Sequence, residues 1–210
     1  MKIQKGIPSQ RLIVGVGHNS VADTVEMIRE SLRLNCLAVL WHPPFYYKNL
    51  ADHGVIEYYK QCLDRIEDRS ALKVILYNFP ANTCVPVTHN IIEQLMTAYP
   101  ENIMGMKDSS FSYDHTYQII QRFPKLKMYV GKDTDTSELV RNGACGAIVA
   151  FSNMAPDLMQ SLYEYGKDNT KPNRNDEILK LWDIVNGNST ANSRAIGLPA
   201  LKGIFSISSI

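Results

Sequence analysis

The sequence predicts an α/β fold whose strands run parallel. Six short apolar runs rich in β-branched residues alternate with longer stretches of helical period, and the runs begin 19 to 37 residues apart. These intervals bracket the roughly 30 residues of a strand–helix–strand unit, in which both strands point the same way. The alternation leaves two architectures open, a doubly wound open sheet and a closed (β/α)₈ barrel.

The strand candidates share high apolar content and a length of six residues. In chain order they are RLIVGV (11–16), CLAVLW (36–41), KVILYN (73–78), NIMGMK (102–107), KMYVGK (127–132) and GAIVAF (146–151).

Helix start signals precede three of the intervening stretches. Ser20 precedes VADTVEMIRESLRL, Thr88 precedes HNIIEQLMTAY, and residues 133–135 precede TSELVRNG, whose Gly143 can close the helix. After the sixth strand candidate the pattern changes to helices alone. These are predicted over residues 156–165, 175–185 and 193–205, with the polar stretch GKDNTKPNRND as a loop.

Charge and composition exclude several classes of partner. The chain has 22 Lys+Arg and 21 Asp+Glu, and no basic stretch is long enough to follow a nucleic-acid backbone. No apolar run approaches the 18 or so residues that span a bilayer, and the first ten residues lack the apolar core of a signal peptide. We therefore expect a soluble, cytoplasmic protein that binds neither nucleic acid nor membrane.

Neither the cysteines nor the histidines show the spacing of a metal site. Four cysteines (Cys36, Cys62, Cys84 and Cys145) and five histidines (His18, His42, His53, His89 and His115) are scattered along the chain. Free thiols and surface or helix-start histidines are the simplest interpretation. We expect no metal and no other cofactor.

Lys107 and Tyr77 are unusual residues because each stands at the end of an apolar strand. Alternation along NIMGMK places Ile103, Gly105 and Lys107 on one face, where Gly105 would leave room below the lysine. Tyr77 ends the preceding strand, and neighbouring parallel strands bring their carboxyl ends together. The alternative is that Lys107 is solvated or pairs with Asp108, and that Tyr77 is a core residue with its hydroxyl bonded at the rim.

An amine and a phenol at the mouth of an apolar cavity indicate one kind of chemistry. Apolar surroundings disfavour the ammonium form, and a neutral amine can attack a carbonyl to form a Schiff base. A phenol hydroxyl can then carry protons to and from the substrate.

Two motifs carry a family resemblance. YNFPANT (77–83) and GMKDSS (105–110) resemble the paired signature of the dihydrodipicolinate synthase and N-acetylneuraminate lyase family of pyruvate-dependent class I aldolases. The family's other blocks resemble, in the same order, GVGHNSVADTVE (15–26), PPFYYK (43–48), GAIVAFSNMAP (146–156) and GLPALKG (197–203). The resemblance implies a TIM (β/α)₈ barrel with extra C-terminal helices, in a homo-oligomer that is usually a tetramer.

The resemblance also implies roles for individual residues. Lys107 corresponds to the Schiff-base lysine and Tyr77 to the catalytic tyrosine. Ser109 stands where relatives have a hydroxyl near the substrate, and Tyr46 stands where some relatives have a tyrosine that reaches a neighbouring subunit's active site. Ala150, in GAIVAFSNMAP, is assigned to substrate binding. The alternatives for Ser109 and Tyr46 are a turn-forming serine and an interface aromatic.

Asn82 departs from the pattern of dihydrodipicolinate synthases. Those enzymes have at this position an arginine that binds a substrate carboxylate, and an amide cannot make the same bidentate charge-assisted contact. YNFPANT is more similar to aldolases that cleave 2-keto-3-deoxy sugar acids or 4-hydroxy-2-oxoglutarate. We expect such a cleavage, with dihydrodipicolinate synthesis as the alternative. A second departure is Cys84, which stands where a glycine commonly follows the threonine.

The length of the chain is the largest departure. Barrels of this class have eight strands in about 250 residues, and the family's first two strand–helix units, with the loop that binds the pyruvate carboxylate, have no counterpart among the six strand candidates. We expect residues 1–155 to form a partial barrel and residues 156–210 a C-terminal helical extension of the same domain. Two interpretations remain, an aldolase and a catalytically silent structural partner. Lys107 and Tyr77 together favour the aldolase.

Overall fold

The structure, a computed structural model, describes residues 6–186. The predicted helix over 193–205 and the GLPALKG block lie outside the described residues. The chain has two compact units, of which the first ends at Gly131 and the second begins at Lys132. The predicted partition at residue 155 stays a prediction.

Five parallel strands form the sheet of the first unit, each beside the one that precedes it in the sequence. They are β1 (Ile13–Gly15), β2 (Ala38–Trp41), β3 (Val74–Asn78), β4 (Ile103–Asp108) and β5 (Lys127–Val130). A doubly wound sheet needs a point where the strand order reverses. The order β1 to β5 has no reversal, and it is therefore the order of a barrel.

Helices follow the first four strands. They are α1 (Val21–Arg33), α2 (Asp52–Leu63), the single turn α3 (Pro80–Thr83), α4 (His89–Ala98) and α5 (Tyr113–Arg122). The side chains of Ser20, Thr88 and Ser112 accept hydrogen bonds from backbone N–H groups in the first turns of α1, α4 and α5. The sequence predicts α1 and α4 from these caps, and the structure adds α2, α3 and α5.

The core of the first unit lies on both faces of the sheet. Val74, Ile75 and Leu76 are consecutive in β3 and all three are fully buried, although successive side chains of a strand point to opposite faces. Burial on both faces explains why these strands appear in the sequence as nearly continuous apolar runs.

Gly105 lies where β4 and β5 approach closely. A Cβ on this residue would overlap the backbone carbonyl oxygen of Lys127 in β5. The close approach of β5 therefore favours a residue without a side chain, and the room below Lys107 stays a prediction.

Within residues 132–186, the second unit has one short strand and three α-helices. Its elements are α6 (Thr136–Arg141), β6 (Gly146–Ala147), α7 (Pro156–Lys167) and α8 (Asn175–Asn186). Phe151, Leu158, Met159, Leu162, Ile178 and Val185 form its buried core. The predicted loop over 166–176 lies between α7 and α8, although α7 extends two residues into it and α8 begins at its penultimate residue.

The sixth strand is shorter than predicted. It ends at Ala147, and Ala150–Asn153 form a 3₁₀ turn. The Phe151 N–H donates a hydrogen bond of 3.0 Å to the buried Asp133 carboxylate. This bond lies in the 3₁₀ turn, and it is a contact that the apolar run GAIVAF does not reveal.

Residues 6–186 contain no helix with both the length and the apolar character needed to cross a membrane. Nor do three or more His, Cys, Asp or Glu side chains gather in this part of the chain in a way that could hold a metal ion. Cys36, Cys62, Cys84 and Cys145 are free.

Candidate active site

Tyr77 and Lys107 meet at the carboxyl ends of β3 and β4. They are register partners in the sheet, and both are half-buried. The Lys107 Nζ lies 4.2 Å from the centroid of the Tyr77 ring. A cation at this distance from an aromatic face is stabilised by about 0.5–2 kcal/mol. The structure thus brings together the amine and the phenol that the sequence places at neighbouring strand ends, and their chemical roles stay predictions.

Two further aromatic rings extend the apolar surface beside Tyr77. The Phe79 ring stacks on Tyr77 with centroids 5.7 Å apart, and Phe111 lies 6.2 Å from Phe79. Phe111 has a φ of 62°, in the left-handed region that bulky residues rarely adopt. Such an outlier costs about 1–3 kcal/mol and is typical of functional sites. Sequence reasoning missed Phe111 because no residue pattern marks this backbone conformation.

Asp108 follows Lys107 in the sequence, but its carboxylate bonds to other side chains. Its side chain is only 2% exposed, and strand alternation directs it to the face opposite Lys107. Four neighbouring side chains bond to its carboxylate: Asn78 (2.7 Å), Thr116 (2.7 Å), Ser110 (2.8 Å) and His115 (3.0 Å). These bonds, rather than an ion pair with Lys107, occupy the carboxylate.

The surroundings keep Asp108 ionised. Burial by itself raises the pKa of this carboxyl, but hydrogen bonds from His115, Thr116 and Asn78 outweigh it and hold the pKa below its usual value. In return, the hydrogen bond to Asp108 raises the pKa of His115. Sequence reasoning treated the histidines as surface or helix-start residues, and so it missed this Asp–His contact, which joins β4 to α5.

A second histidine adjoins this pair. The His89 ring stacks on His115 with centroids 6.0 Å apart. Burial, and then the charges of Arg122 and His115, lower the pKa of His89. His89 therefore favours the neutral form, whereas its neighbour His115 favours the charged form.

Asn82 is exposed to solvent, whereas Ser109 is buried. Asn82 is exposed on α3, and the next-but-one residue, Cys84, ends that turn in the left-handed conformation with φ 55°. This is the conformation a glycine adopts most easily. Ser109 is buried, its N–H donates to the Asn78 carbonyl (2.8 Å), and its hydroxyl lies against Gly131. Substrate binding by Asn82 and Ser109 stays a prediction.

Tyr46 is on the surface of the first unit. Its side chain is 71% exposed, and it forms an edge-to-face contact with Tyr47 at 5.2 Å. The Asn19 side-chain oxygen holds the loop by accepting bonds from the N–H groups of Phe45 (2.7 Å) and Tyr46 (2.8 Å). The loop therefore presents two aromatic rings to solvent from a fixed backbone.

Ala150 belongs to the second unit. It begins the 3₁₀ turn Ala150–Asn153 and is exposed. Its assignment to substrate binding stays a prediction.

Comparison with known proteins gives the family. The sequence matches the dihydrodipicolinate synthetase family over residues 8–196. The chain belongs to this family. The family that the motifs YNFPANT and GMKDSS predict is therefore confirmed, and it is a family of lyases.

Curated members of the dihydrodipicolinate synthetase family are similar over most of this chain. An uncharacterized DapA-like lyase of Chloroflexus aurantiacus is 31% identical over 153 residues, 73% of this chain and 50% of that protein. A 4-hydroxy-tetrahydrodipicolinate synthase of Sulfurimonas denitrificans is 27% identical over 152 residues, 72% of this chain and 50% of that protein. The chain thus spans about half the length of these relatives.

A solved structure of the family supports the fold. The chloride-inhibited dihydrodipicolinate synthase of Acinetobacter baumannii, in complex with pyruvate, is 29% identical and superposes with a TM-score of 0.74. The match covers 90% of this chain and 63% of that protein. The predicted fold class, an α/β chain with six strands of a TIM barrel, is confirmed.

Proposed function

We propose that the Lys107 amine forms a Schiff base with pyruvate, and that the full gene product is a lyase of the class I aldolase type. One observation carries this proposal: the amine lies 4.2 Å from the centroid of the Tyr77 ring at adjacent carboxyl strand ends. Family membership supports it, as does the pyruvate bound to the Acinetobacter baumannii enzyme.

The reaction starts with the neutral amine. In the cleavage direction its lone pair attacks the ketone carbon of the 2-keto acid substrate, the carbonyl oxygen takes up a proton, and loss of water leaves an iminium ion. When the carbon–carbon bond breaks, its electron pair passes to the iminium to give an enamine, the aldehyde leaves, and so no prosthetic group is needed. The Tyr77 oxygen takes the proton from the hydroxyl of the departing aldehyde portion and returns it to the enamine carbon. Water then hydrolyses the resulting iminium, which releases pyruvate and the free amine.

The substrate proposal rests on Asn82. An exposed amide offers one acceptor and two donors but no charge. It suits a hydroxylated partner better than a carboxylate-bearing one, and this supports cleavage of a 2-keto-3-deoxy sugar acid. Cleavage of 4-hydroxy-2-oxoglutarate is proposed only on the similarity of YNFPANT, because its aldehyde product bears a carboxylate. Ser109, next but one to Lys107, and Ala150 are the further proposed contacts to substrate.

Dihydrodipicolinate synthesis is the second candidate. The name of the Sulfurimonas denitrificans relative favours it, since that protein is a 4-hydroxy-tetrahydrodipicolinate synthase. Asn82 argues against it, because condensation with an amino aldehyde that bears a carboxylate is better served by a guanidinium at this position.

The protein is further proposed to act as a cytoplasmic homo-oligomer. The exposed rings of Tyr46 and Tyr47 support this, because exposed aromatic side chains are typical of interface anchors. The near-neutral charge of the chain agrees with a small-molecule substrate rather than a nucleic acid.

Trapping with borohydride tests the Schiff base. The full gene product is incubated with pyruvate and borohydride, digested, and mapped by mass spectrometry, and we expect the reduced adduct on Lys107. Lys107→Arg abolishes it, because a guanidinium stays protonated. The exposed Lys171→Arg is the matched control and keeps it. An adduct on another lysine, or none in the wild type, would contradict the proposal.

A further inference from the structure

The Asp108 carboxylate accepts hydrogen bonds at both of its oxygens, and it lies on the face of the sheet opposite the side chains of Lys107 and Tyr77. Asp108 Oδ1 accepts from the Asn78 side chain (2.7 Å) and the Ser110 N–H (3.0 Å). Oδ2 accepts from the hydroxyls of Thr116 (2.7 Å) and Ser110 (2.8 Å), and the His115 Nδ1 lies 3.0 Å from it. Loss of such a carboxylate leaves several buried donors without a partner, at about 1–3 kcal/mol each.

The bond between Asp108 and Asn78 joins the residues that follow Lys107 and Tyr77. Asn78 and Asp108 are themselves register partners. Asn78 is fixed from both ends, because its side-chain oxygen accepts from the Val87 N–H (2.9 Å) and its carbonyl accepts from the Ser109 N–H (2.8 Å). Successive side chains point to opposite faces. Tying Asn78 to Asp108 on one face therefore sets the direction of Tyr77 and Lys107 on the other.

We propose that Asp108 is a positioning residue, which holds the Lys107 amine against the Tyr77 ring by binding Asn78 across the two strand ends. The effect on rate rests on the proposed Schiff-base function, whereas the effect on geometry does not. Misplacement of a reacting group by about 1 Å can cost about 10²-fold in rate.

A purely structural role is the competing explanation. Asp108 also bonds to Thr116 and His115 of α5, and it could serve only to anchor that helix. The two roles use different bonds of the same carboxylate. Asn78→Ala removes the bond between the strands together with the bond from the Val87 N–H (2.9 Å). Thr116→Val removes a bond of equal length, 2.7 Å, to the helix together with the bond to the Ser112 carbonyl (3.1 Å). Thr116→Val is therefore the matched control.

The first readout is the rate of borohydride trapping at saturating pyruvate, in the full gene product. We expect Asn78→Ala to lower it by about tenfold or more and Thr116→Val by less than about twofold, although both variants lose stability. Asp108→Ala should lower the trapping rate as much as Asn78→Ala does. The double variant should be no slower than Asp108→Ala, because both single variants remove the same bond between Asn78 and Asp108. Asp108→Leu, which is similar in size and has no acceptor for the Asn78 amide, replaces Asp108→Ala if that variant does not fold.

The second readout needs no catalysis. Acetic anhydride labels Lys107 and the exposed Lys171 in competition, and mass spectrometry gives the ratio of the two. We expect Asn78→Ala to change this ratio, because Tyr77 no longer covers the amine in the same way, and Thr116→Val to leave it unchanged.

The two readouts separate failure of the positioning role from failure of the proposed function. A wild type that does not trap pyruvate contradicts the Schiff-base function, and the labelling ratio then decides on positioning alone. Equal effects of Asn78→Ala and Thr116→Val on trapping and labelling, or no effect of either, would overturn the positioning role.

Discussion

Lys107 Nζ lies 4.2 Å from the centroid of the Tyr77 ring, and the two residues face each other across β3 and β4. The contact holds the amine beside the phenol. The amine attacks a carbonyl through its lone pair, whereas the phenol transfers protons, and so the two groups contribute to separate steps.

Replacing Tyr77 by Phe should separate these steps. The ring remains to contact Lys107 and Phe79, and so iminium trapping should stay close to that of the wild type. Turnover should fall by about 10²–10⁴-fold, the usual loss for a positioned acid–base group. Trapping and steady-state kinetics are measured on the full gene product, with Tyr117→Phe on the exposed part of α5 as the control. Unchanged turnover would reject the role of the hydroxyl.

Asn82 should decide the choice of aldehyde. The wild type should release pyruvate from 2-keto-3-deoxygluconate or 4-hydroxy-2-oxoglutarate faster than it condenses pyruvate with aspartate semialdehyde. Asn82→Arg should raise the relative rate of condensation, by up to about 10²-fold, because a guanidinium binds a carboxylate through two charge-assisted bonds.

Two results would change the substrate assignment. Faster condensation by the wild type would favour dihydrodipicolinate synthesis. Failure in all three reactions would instead favour a catalytically silent structural partner. Asn90→Arg is the matched control, because Asn90 is another exposed asparagine, on α4.

Gly105→Ala should destabilise the sheet. Its Cβ would overlap the Lys127 carbonyl oxygen, and the backbone of β5 cannot move aside as a flexible side chain can. Overpacking of this kind costs about 1–3 kcal/mol. The matched control is Gly54→Ala in α2, where a Cβ meets nothing within 4 Å, and it should stabilise by about 0.4–1 kcal/mol. Urea unfolding measures both, and equal stability of the two variants would contradict the close approach of β5.

His115→Gln should change how stability depends on pH. Asp108 raises the pKa of His115 in the folded protein, and so the extra stability is fully present below the unfolded pKa of about 6.5. It is lost as the pH rises through the folded value. The stability difference between wild type and His115→Gln should therefore be larger at pH 5.5 than at pH 9.

Other charged groups near His115 also affect how stability depends on pH. Protonation of His89, whose pKa is lowered, opposes folding below about pH 6.5. The Arg122 guanidinium lies 3.3 Å from the exposed Glu93 carboxylate and adds positive charge near His89. Urea unfolding at each pH, with the exposed His53→Gln as the control, measures the contribution of His115. A difference that grows with pH would contradict the bond between His115 and Asp108.

Local signals in the sequence were sufficient for much of this fold. The apolar runs predict all six strands, because strands that are covered on both faces need apolar residues throughout. Ser20 and Thr88 predict the starts of α1 and α4, because an N-cap depends only on the first turn of its own helix. The pairing of Lys107 with Tyr77 follows from strand alternation and from the meeting of carboxyl ends in a parallel sheet.

Contacts between distant residues decided the rest. The close approach of Lys127 explains Gly105, the Phe151 N–H bonds to Asp133, and the Asn78 side chain bonds to Asp108. Each depends on the distance between chain segments that are far apart in the sequence. A residue pattern specifies the period and ends of an element, whereas the backbone spacing and hydrogen-bond partners between elements exist only after the chain has packed.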